Sequence, residues 1–158
     1  MTEEFPIRQG TLDDVGTVVA HRRAMFREMG YSDEEALDKM SEAFRPWLER
    51  RMRQGEYLAW FAEDVDGRIL AGLGLWLMDW PPHMIGPGAP RGNILNVYTR
   101  PESRRQGLAR RLMEAALGWC LLSGVRAVIL HASEDGRRLY ESLGFKSTNE
   151  MRIVLEME

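Results

Sequence analysis

The sequence predicts a single mixed α/β domain on one central sheet, with the element order β-α-α-β-β-β-α-β-α-β-β. Three observations carry that prediction. Short apolar runs of strand character alternate with longer stretches whose apolar residues fall at helical spacing. Two strand-like runs, Tyr57–Glu63 and Ile69–Asp79, flank Asp64-Val65-Asp66-Gly67, a turn ending in Asp-Gly, which predicts an antiparallel hairpin. A strand at Asn93–Thr99, a helix at Gln106–Ser123 and a strand at Ala127–His131 form a βαβ unit, so those two strands should run parallel with a right-handed crossover. The sheet is therefore expected to be mostly antiparallel with one parallel pair, and one domain to span residues 1–158.

Taken in order, Phe5-Pro6-Ile7-Arg8 reads as a short edge strand. Thr11 is an N-cap with Asp13 and Asp14 in the first turn, and Leu12, Val15, Val19, Phe26 and Met29 form one helical stripe closed by Gly30. Ser32-Asp33-Glu34-Glu35 reads as a capping box for a second helix, striped by Leu37, Met40, Phe44, Trp47, Leu48 and Met52. Pro46 falls inside this stripe and predicts a kink or split near Arg45. After the hairpin, residues 79–92 are a loop rich in proline and glycine. Gln106–Ser123 reads as a helix with Leu108, Leu112, Ala115, Trp119 and Leu122 on one face and Gly124 as its C-cap. Ala127–His131 reads as a buried strand, and Ser133 as the cap of a short helix that stops at Gly144. Phe145–Lys146 and Met151–Met157 are the last two expected strands, the latter alternating through Met151, Ile153, Leu155 and Met157.

Composition narrows the function. The chain of 158 residues is 44% hydrophobic and 28% charged, enough apolar material for a real core. A formal net charge of −3 gives no basic surplus, so a general nucleic-acid partner is not expected. Cys120 is the single cysteine, which rules out an internal disulfide and fits a reducing, cytoplasmic location. Met1-Thr2-Glu3-Glu4 is acidic and reads as no secretory signal, and the longest apolar stretch, near Ile69–Met78, is too short to span a bilayer. Three histidines and one cysteine are scattered without ligand spacing, so no metal is expected.

The most informative stretch runs from Asn96 through Thr99 into Arg100-Pro101-Glu102-Ser103-Arg104-Arg105-Gln106-Gly107-Leu108-Ala109-Arg110-Arg111. A strand ends, a basic loop follows and a helix opens at a glycine. Such a helix start presents free N–H groups and partial positive charge, and small residues at 107 and 109 let a phosphate approach the backbone. Arg104, Arg105 and Arg110 add charge. The local pattern alone equally suits arginines that simply face water. It matches neither the P-loop nor the dinucleotide fingerprint.

A second segment decides between these. Arg104-x-x-Gly107-x-Ala109 is followed, beyond the next strand, by Tyr140-x-x-x-Gly144-Phe145. This pair resembles the two main signatures of the GNAT acetyltransferase superfamily, namely its acetyl-CoA loop and its tyrosine helix ending in Gly-Phe. The element order is also that family's, so the resemblance covers nearly the whole chain. It implies acetyl-CoA as co-substrate. A bulged, splayed strand would offer Leu95, Asn96, Val97 and Tyr98 to the pantetheine arm, with the N–H of Val97 as oxyanion donor. The pyrophosphate would rest on the amides of Arg105, Gln106, Gly107, Leu108, Ala109 and Arg110, beside Arg104. Tyr140 would stand near the sulfur, and Ser133 and Arg138 would touch the pantetheine or adenosine part. A homodimer is the family-based expectation, with apolar residues of the last strands at its interface.

The implied reaction is attack of a neutral amine on a thioester. Oxyanion donors there contribute about 3–4 kcal/mol. Deprotonating an amine of pKa near 10 at pH 7 costs about 4 kcal/mol, so a base is needed. The leaving thiolate wants a proton, and a tyrosine is a weaker acid than a thiol, so Tyr140 reads as a hydrogen-bond donor that becomes an acid late in the step. Members of the family often carry a glutamate early in the splayed strand, whereas here the strand opens Gly92-Asn93-Ile94. Asp79, His83, Glu28, His131 and Glu150 remain as candidate bases, His131 being equally readable as a structural residue of an apolar strand. The acceptor rim is expected from Met25, Phe26, Met29 and Tyr31 together with Trp80, Pro81, His83 and Met84. Four functions stay open: acetylation of a small amine, acetylation of a protein or peptide, non-catalytic acyl-CoA sensing and, with least support, binding of a nucleotide phosphate by the same arginine loop.

Overall fold

The computed structural model describes residues 5–156, so the acidic start Met1–Glu4 and the end of the last expected strand at Met157 lie outside the described residues. Strand β1 is Ile7–Gln9. Thr11 caps a single 3-10 turn, with the Asp14 carboxylate accepting from the Thr11 amide at 2.8 Å. Helix α1 follows at Val15–Glu28 and helix α2 at Glu34–Arg53. The cap of α2 is Asp33 rather than Ser32: its Oδ1 accepts from the Ala36 amide at 3.2 Å. Nor does Pro46 split α2, which runs through it as one helix. Pro46 removes the donor for the Glu42 carbonyl, but both residues face solvent, where water can serve that oxygen. Phe44 and Leu48, buried on either side, hold both halves on one core.

Strands β2 (Tyr57–Glu63), β3 (Ile69–Met78) and β4 (Arg91–Thr99) form an antiparallel meander. Helix α3 (Leu108–Leu122) crosses to β5 (Val128–Leu130), which pairs parallel with β4. Helix α4 spans Arg137–Ser142. The sheet order is β1-β2-β3-β4-β5. Because β2 is covered on both faces, it reads as continuous apolar sequence. Tyr57, Ala59 and Phe61 pack under α1 and α2 with Val15, Val18, Phe44 and Leu48, whereas Trp60 and Ala62 pack under α3 with Leu112, Met113 and Ala116. Leu48 is completely buried, and truncating such a residue to alanine costs about 2–5 kcal/mol.

Three expectations near the end of the chain need correction. The strand at 127–131 shortens to Val128–Leu130 and is half-buried at a sheet edge, with His131 beyond it and exposed. The helix after it opens at Arg137. Ser133 instead closes the preceding turn, its Oγ accepting from the Gly136 amide at 3.1 Å. The strands at Phe145–Lys146 and Met151–Met157 are not formed among the described residues, where Met151 is 93% and Leu155 80% exposed. Alternation specifies which face a strand would bury, but a strand needs a partner ladder, and β5 offers only three residues of edge.

Candidate active site

β4 carries a bulge at its centre. Gly72 pairs with Tyr98 and Gly74 with Leu95, so Asn96 and Val97 together oppose Leu73. Asn96 takes φ +56°, a left-handed conformation that asparagine tolerates better than most side chains. Its amide is fixed from beneath: Nδ2 donates to the Tyr57 hydroxyl at 2.9 Å, and Oδ1 accepts from Arg22 Nη1 at 2.8 Å. Tyr57 reaches there because its side chain crosses β3 over a glycine; a Cβ at Gly74 would lie 1.9 Å from the Tyr57 oxygen. Burial pushes the Tyr57 phenol up to about 12, so it stays a neutral partner. On the other side, the β4–β5 ladder stops at Ile94 and Leu130. The β5-facing side of Leu95, Asn96, Val97 and Tyr98 therefore has no strand partner among the described residues.

The loop after β4 ends in a cradle of unpaired amides. Arg105 (φ +64°) and Gly107 (φ +76°) are left-handed, and α3 starts at Leu108. The backbone N–H groups from Arg105 to Arg110 make no hydrogen bond among the described residues; the first to turn inward is that of Arg111, onto the Gly107 carbonyl at 3.2 Å. A Cβ built at Gly107 meets no atom within 4 Å, so the cradle is open. The Leu108 side chain is buried in the core, which leaves its amide to the cradle, while Ala109 is small and half-buried. Arg105 and Gln106 are exposed, and Arg105 has no ion pair. Arg104 is engaged elsewhere: Nη2 bonds both Glu28 oxygens at 2.7 and 2.8 Å, and Nε donates to the Thr99 carbonyl at 2.9 Å. Arg110 donates to Ser142 Oγ at 2.5 Å and tethers α3 to α4.

Tyr140 projects from α4 into the core beneath the sheet, with its ring edge-on to Phe145 at 6.1 Å. Gly136 admits the ring; a Cβ there would sit 2.8 Å from it. The hydroxyl has no partner among the described residues, and burial pushes its pKa up, which keeps it a proton donor. Ser133, in the turn before α4, and Arg138, in its first turn, are both exposed.

The candidate bases are dispersed. Asp79 and His83 follow β3, at the end where Met78 pairs with Arg91, which is the opposite end of β4 from the cradle. Trp80, Pro81 and Met84 go with them, so this half of the expected acceptor rim is separated from Phe26, Met29 and Tyr31 on the α1 side. Glu28 is ion-paired with Arg104. His131 follows Leu130 where the two parallel strands part, and its Nε2 lies 4.0 Å from Glu150.

Sequence reasoning missed three groups under the bulge: Tyr57, Arg22 and His21. His21 is 8% exposed, its ring 5.1 Å from that of Tyr98, and burial depresses its pKa to about 4. It lines an open groove with Thr17, Ala20, Tyr98 and Arg100. The signal that could have found them is Gly72-x-Gly74: two glycines on one face of an apolar strand mark large side chains pressed against it. Among the described residues no group of three or more acidic, histidine or cysteine side chains could hold a metal, and no helix is long and apolar enough to cross a membrane.

A mixed sheet parted at its one parallel pair, above a helix start with free amides, is the architecture of a CoA-dependent acyltransferase. The chain belongs to the GNAT acetyltransferase family, whose model matches residues 19–145. It is similar over 96% of its length to a GCN5-related N-acetyltransferase from Ralstonia eutropha, at 39% identity and TM-score 0.88, covering 98% of that chain. A predicted acetyltransferase with acetyl-CoA from Clostridium acetobutylicum shares the fold at 23% identity and TM-score 0.85, with 96% of each chain covered. Glucosamine-6-phosphate N-acetyltransferase from Arabidopsis thaliana shares it at 19% identity and TM-score 0.64, covering 99% of this chain and 100% of that one. No curated protein matches. The protein is thus an acyltransferase that uses acetyl-CoA.

Proposed function

We propose that this acetyltransferase moves the acetyl group to a primary amine of a small molecule by direct attack on the thioester. The observation that carries the reading is the run of unpaired amides from Arg105 to Arg110 at the end of a bulged, parted strand. Acetyl-CoA supplies the activated acyl group. Its pyrophosphate suits the Arg105–Arg110 amides and the unpaired Arg105 guanidinium. Arg104 contributes through shape, tying the loop to α1 via Glu28. The unpaired side of Leu95, Asn96, Val97 and Tyr98 suits the amide-bearing pantetheine arm, with Ser133 and Arg138 at its outer end. We assign the Val97 N–H as donor to the developing oxyanion and the Tyr140 hydroxyl as donor to the departing sulfur. His131, backed by Glu150, is the base we favour, because of the expected candidates it lies where the strands part.

A small acceptor is supported by the aromatic side chains of the α1–α2 face. There Phe26 meets Tyr31 edge-on at 5.5 Å, and the Arg22 guanidinium lies 4.8 Å from the ring centres of both Phe26 and Phe44. The name of the Arabidopsis relative supports it as well, since it specifies an amino sugar phosphate. The test is thiol release from acetyl-CoA across a panel of small amines and short peptides. Turnover on small amines supports the proposal. Turnover on peptides alone replaces it with a peptide acetyltransferase, and acetyl-CoA binding without any turnover replaces it with a sensor.

We propose further that the chain forms a homodimer in the cytoplasm. The outer edge of β5 is unpaired, and Met151, Ile153 and Leu155 present an exposed alternating segment suited to pairing with such an edge in a second copy. The single buried thiol, Cys120, suits a reducing compartment. Light scattering on the whole chain and on a chain ending at residue 148 tests the dimer; a monomeric whole chain refutes it.

A further inference from the structure

Arg22 is a cation without an anion. Its guanidinium lies 4.8 Å from the ring centres of both Phe26 and Phe44, and Nη1 donates to the neutral Asn96 Oδ1 at 2.8 Å. No described carboxylate pairs with it, although nine other arginines of the chain, among them Arg23, Arg27 and Arg104 around the same helix, make ion pairs with described carboxylates. Nε is buried and unbonded, and Nη2 makes no hydrogen bond. Burial works against the charge, pushing its pKa down. With Nε buried, Nη2 is the nitrogen left to donate to a ligand oxygen, and a charge-assisted hydrogen bond from a half-buried guanidinium suits a carboxylate.

Position gives this cation a purpose. Asn96, its one hydrogen-bonding partner, is the residue before Val97, and both belong to the bulge. Any amine that reaches the bulge from the α1–α2 face comes within a few bonds of Arg22. We propose that Arg22 is a specificity-determining residue that binds the carboxylate of the acceptor, so that the acceptor class is amino acids with a free carboxylate close to the reacting amine. This deepens the small-amine reading and rests on it. The Phe26 and Phe44 rings, each 4.8 Å from the guanidinium carbon, would hold the side chain in place, so little side-chain freedom is lost when a carboxylate binds.

The alternative role of Arg22 is to hold Asn96 in place, and the experiment must separate the two. Thiol release is measured with the common L-amino acids and their carboxamides, on wild type, Arg22→Lys and Arg22→Gln, alongside acetyl-CoA calorimetry and melting temperature. The carboxylate form should be preferred by about 10-fold or more in kcat/KM, mostly through KM, as fits one charge-assisted hydrogen-bonded pair. Arg22→Gln, which can still donate to Asn96, should abolish the preference while keeping acetyl-CoA affinity, and Arg22→Lys should keep part of it. A purely structural Arg22 would lower turnover of acid and amide alike. Equal use of acid and amide by wild type, a preference that survives in Arg22→Gln, or no turnover of any amino acid overturns the inference. Failure to bind acetyl-CoA would instead overturn the underlying function.

Discussion

Asn96 Nδ2 and the Tyr57 hydroxyl lie 2.9 Å apart, and through that bond a tyrosine at the start of β2 supports the bulge in the middle of β4. The bond is wholly buried: Tyr57 is 2% and Asn96 3% exposed. The geometry of the bulge on β4 is thereby tied to the packing of β2 on the far side of β3.

Tyr57→Phe keeps the ring and removes the acceptor for Asn96. An unpaired buried amide costs about 1–3 kcal/mol, to be read in denaturant unfolding. Asn96→Gly and Asn96→Ala both lose the hydrogen bonds. The alanine variant should be the less stable by about 1 kcal/mol, because only glycine accepts φ +56° without strain. Equal stability of the two would mean that the left-handed conformation is not what Asn96 supplies.

His21 makes stability depend on pH with a definite sign. Its pKa falls from the ordinary 6.5 to about 4 on burial, so the unfolded chain binds the proton more readily. The stabilisation is complete above about pH 6.5 and is lost as pH falls from there toward 4. At pH 5 the loss from this group is about 2 kcal/mol. His21→Gln should flatten the profile of melting temperature between pH 7 and 5; an unchanged slope would assign the acid sensitivity elsewhere.

Tyr140→Phe separates chemistry from binding. The hydroxyl has no internal partner to lose, so stability should hold. If it hydrogen-bonds the departing sulfur, kcat should fall about 100-fold, with acetyl-CoA affinity unchanged in calorimetry. Unchanged turnover would remove Tyr140 from the mechanism.

Much of this was legible in the sequence because its signals are local. The Asp-Gly turn specified the β2–β3 hairpin, and Gly107 before a helical stripe specified the cradle. The Gly72-x-Gly74 face, the αL turn at Asn96 and the Arg22–Asn96–Tyr57 contacts are long-range: Tyr57 and Asn96 are 39 residues apart, and no periodicity links them. Alternation in Met151–Met157 misled for a related reason, since a pattern of faces does not supply a neighbouring strand. Arg104 shows the limit of reading charge from a loop: counted with the phosphate-binding arginines, it is neutralised by Glu28 on a helix far earlier in the chain.

The central claim is that the Arg105–Arg110 amides hold acetyl-CoA, and titration calorimetry with acetyl-CoA and CoA on wild type and Gly107→Glu tests it most directly. The glutamate puts a side chain and a negative charge into the open cradle, while the φ of +76° adds strain of only about 1 kcal/mol. Wild type should bind in roughly the micromolar range, and a variant that still melts cooperatively within a few degrees should not bind. Equal affinities, or no binding by a folded wild type, would contradict it.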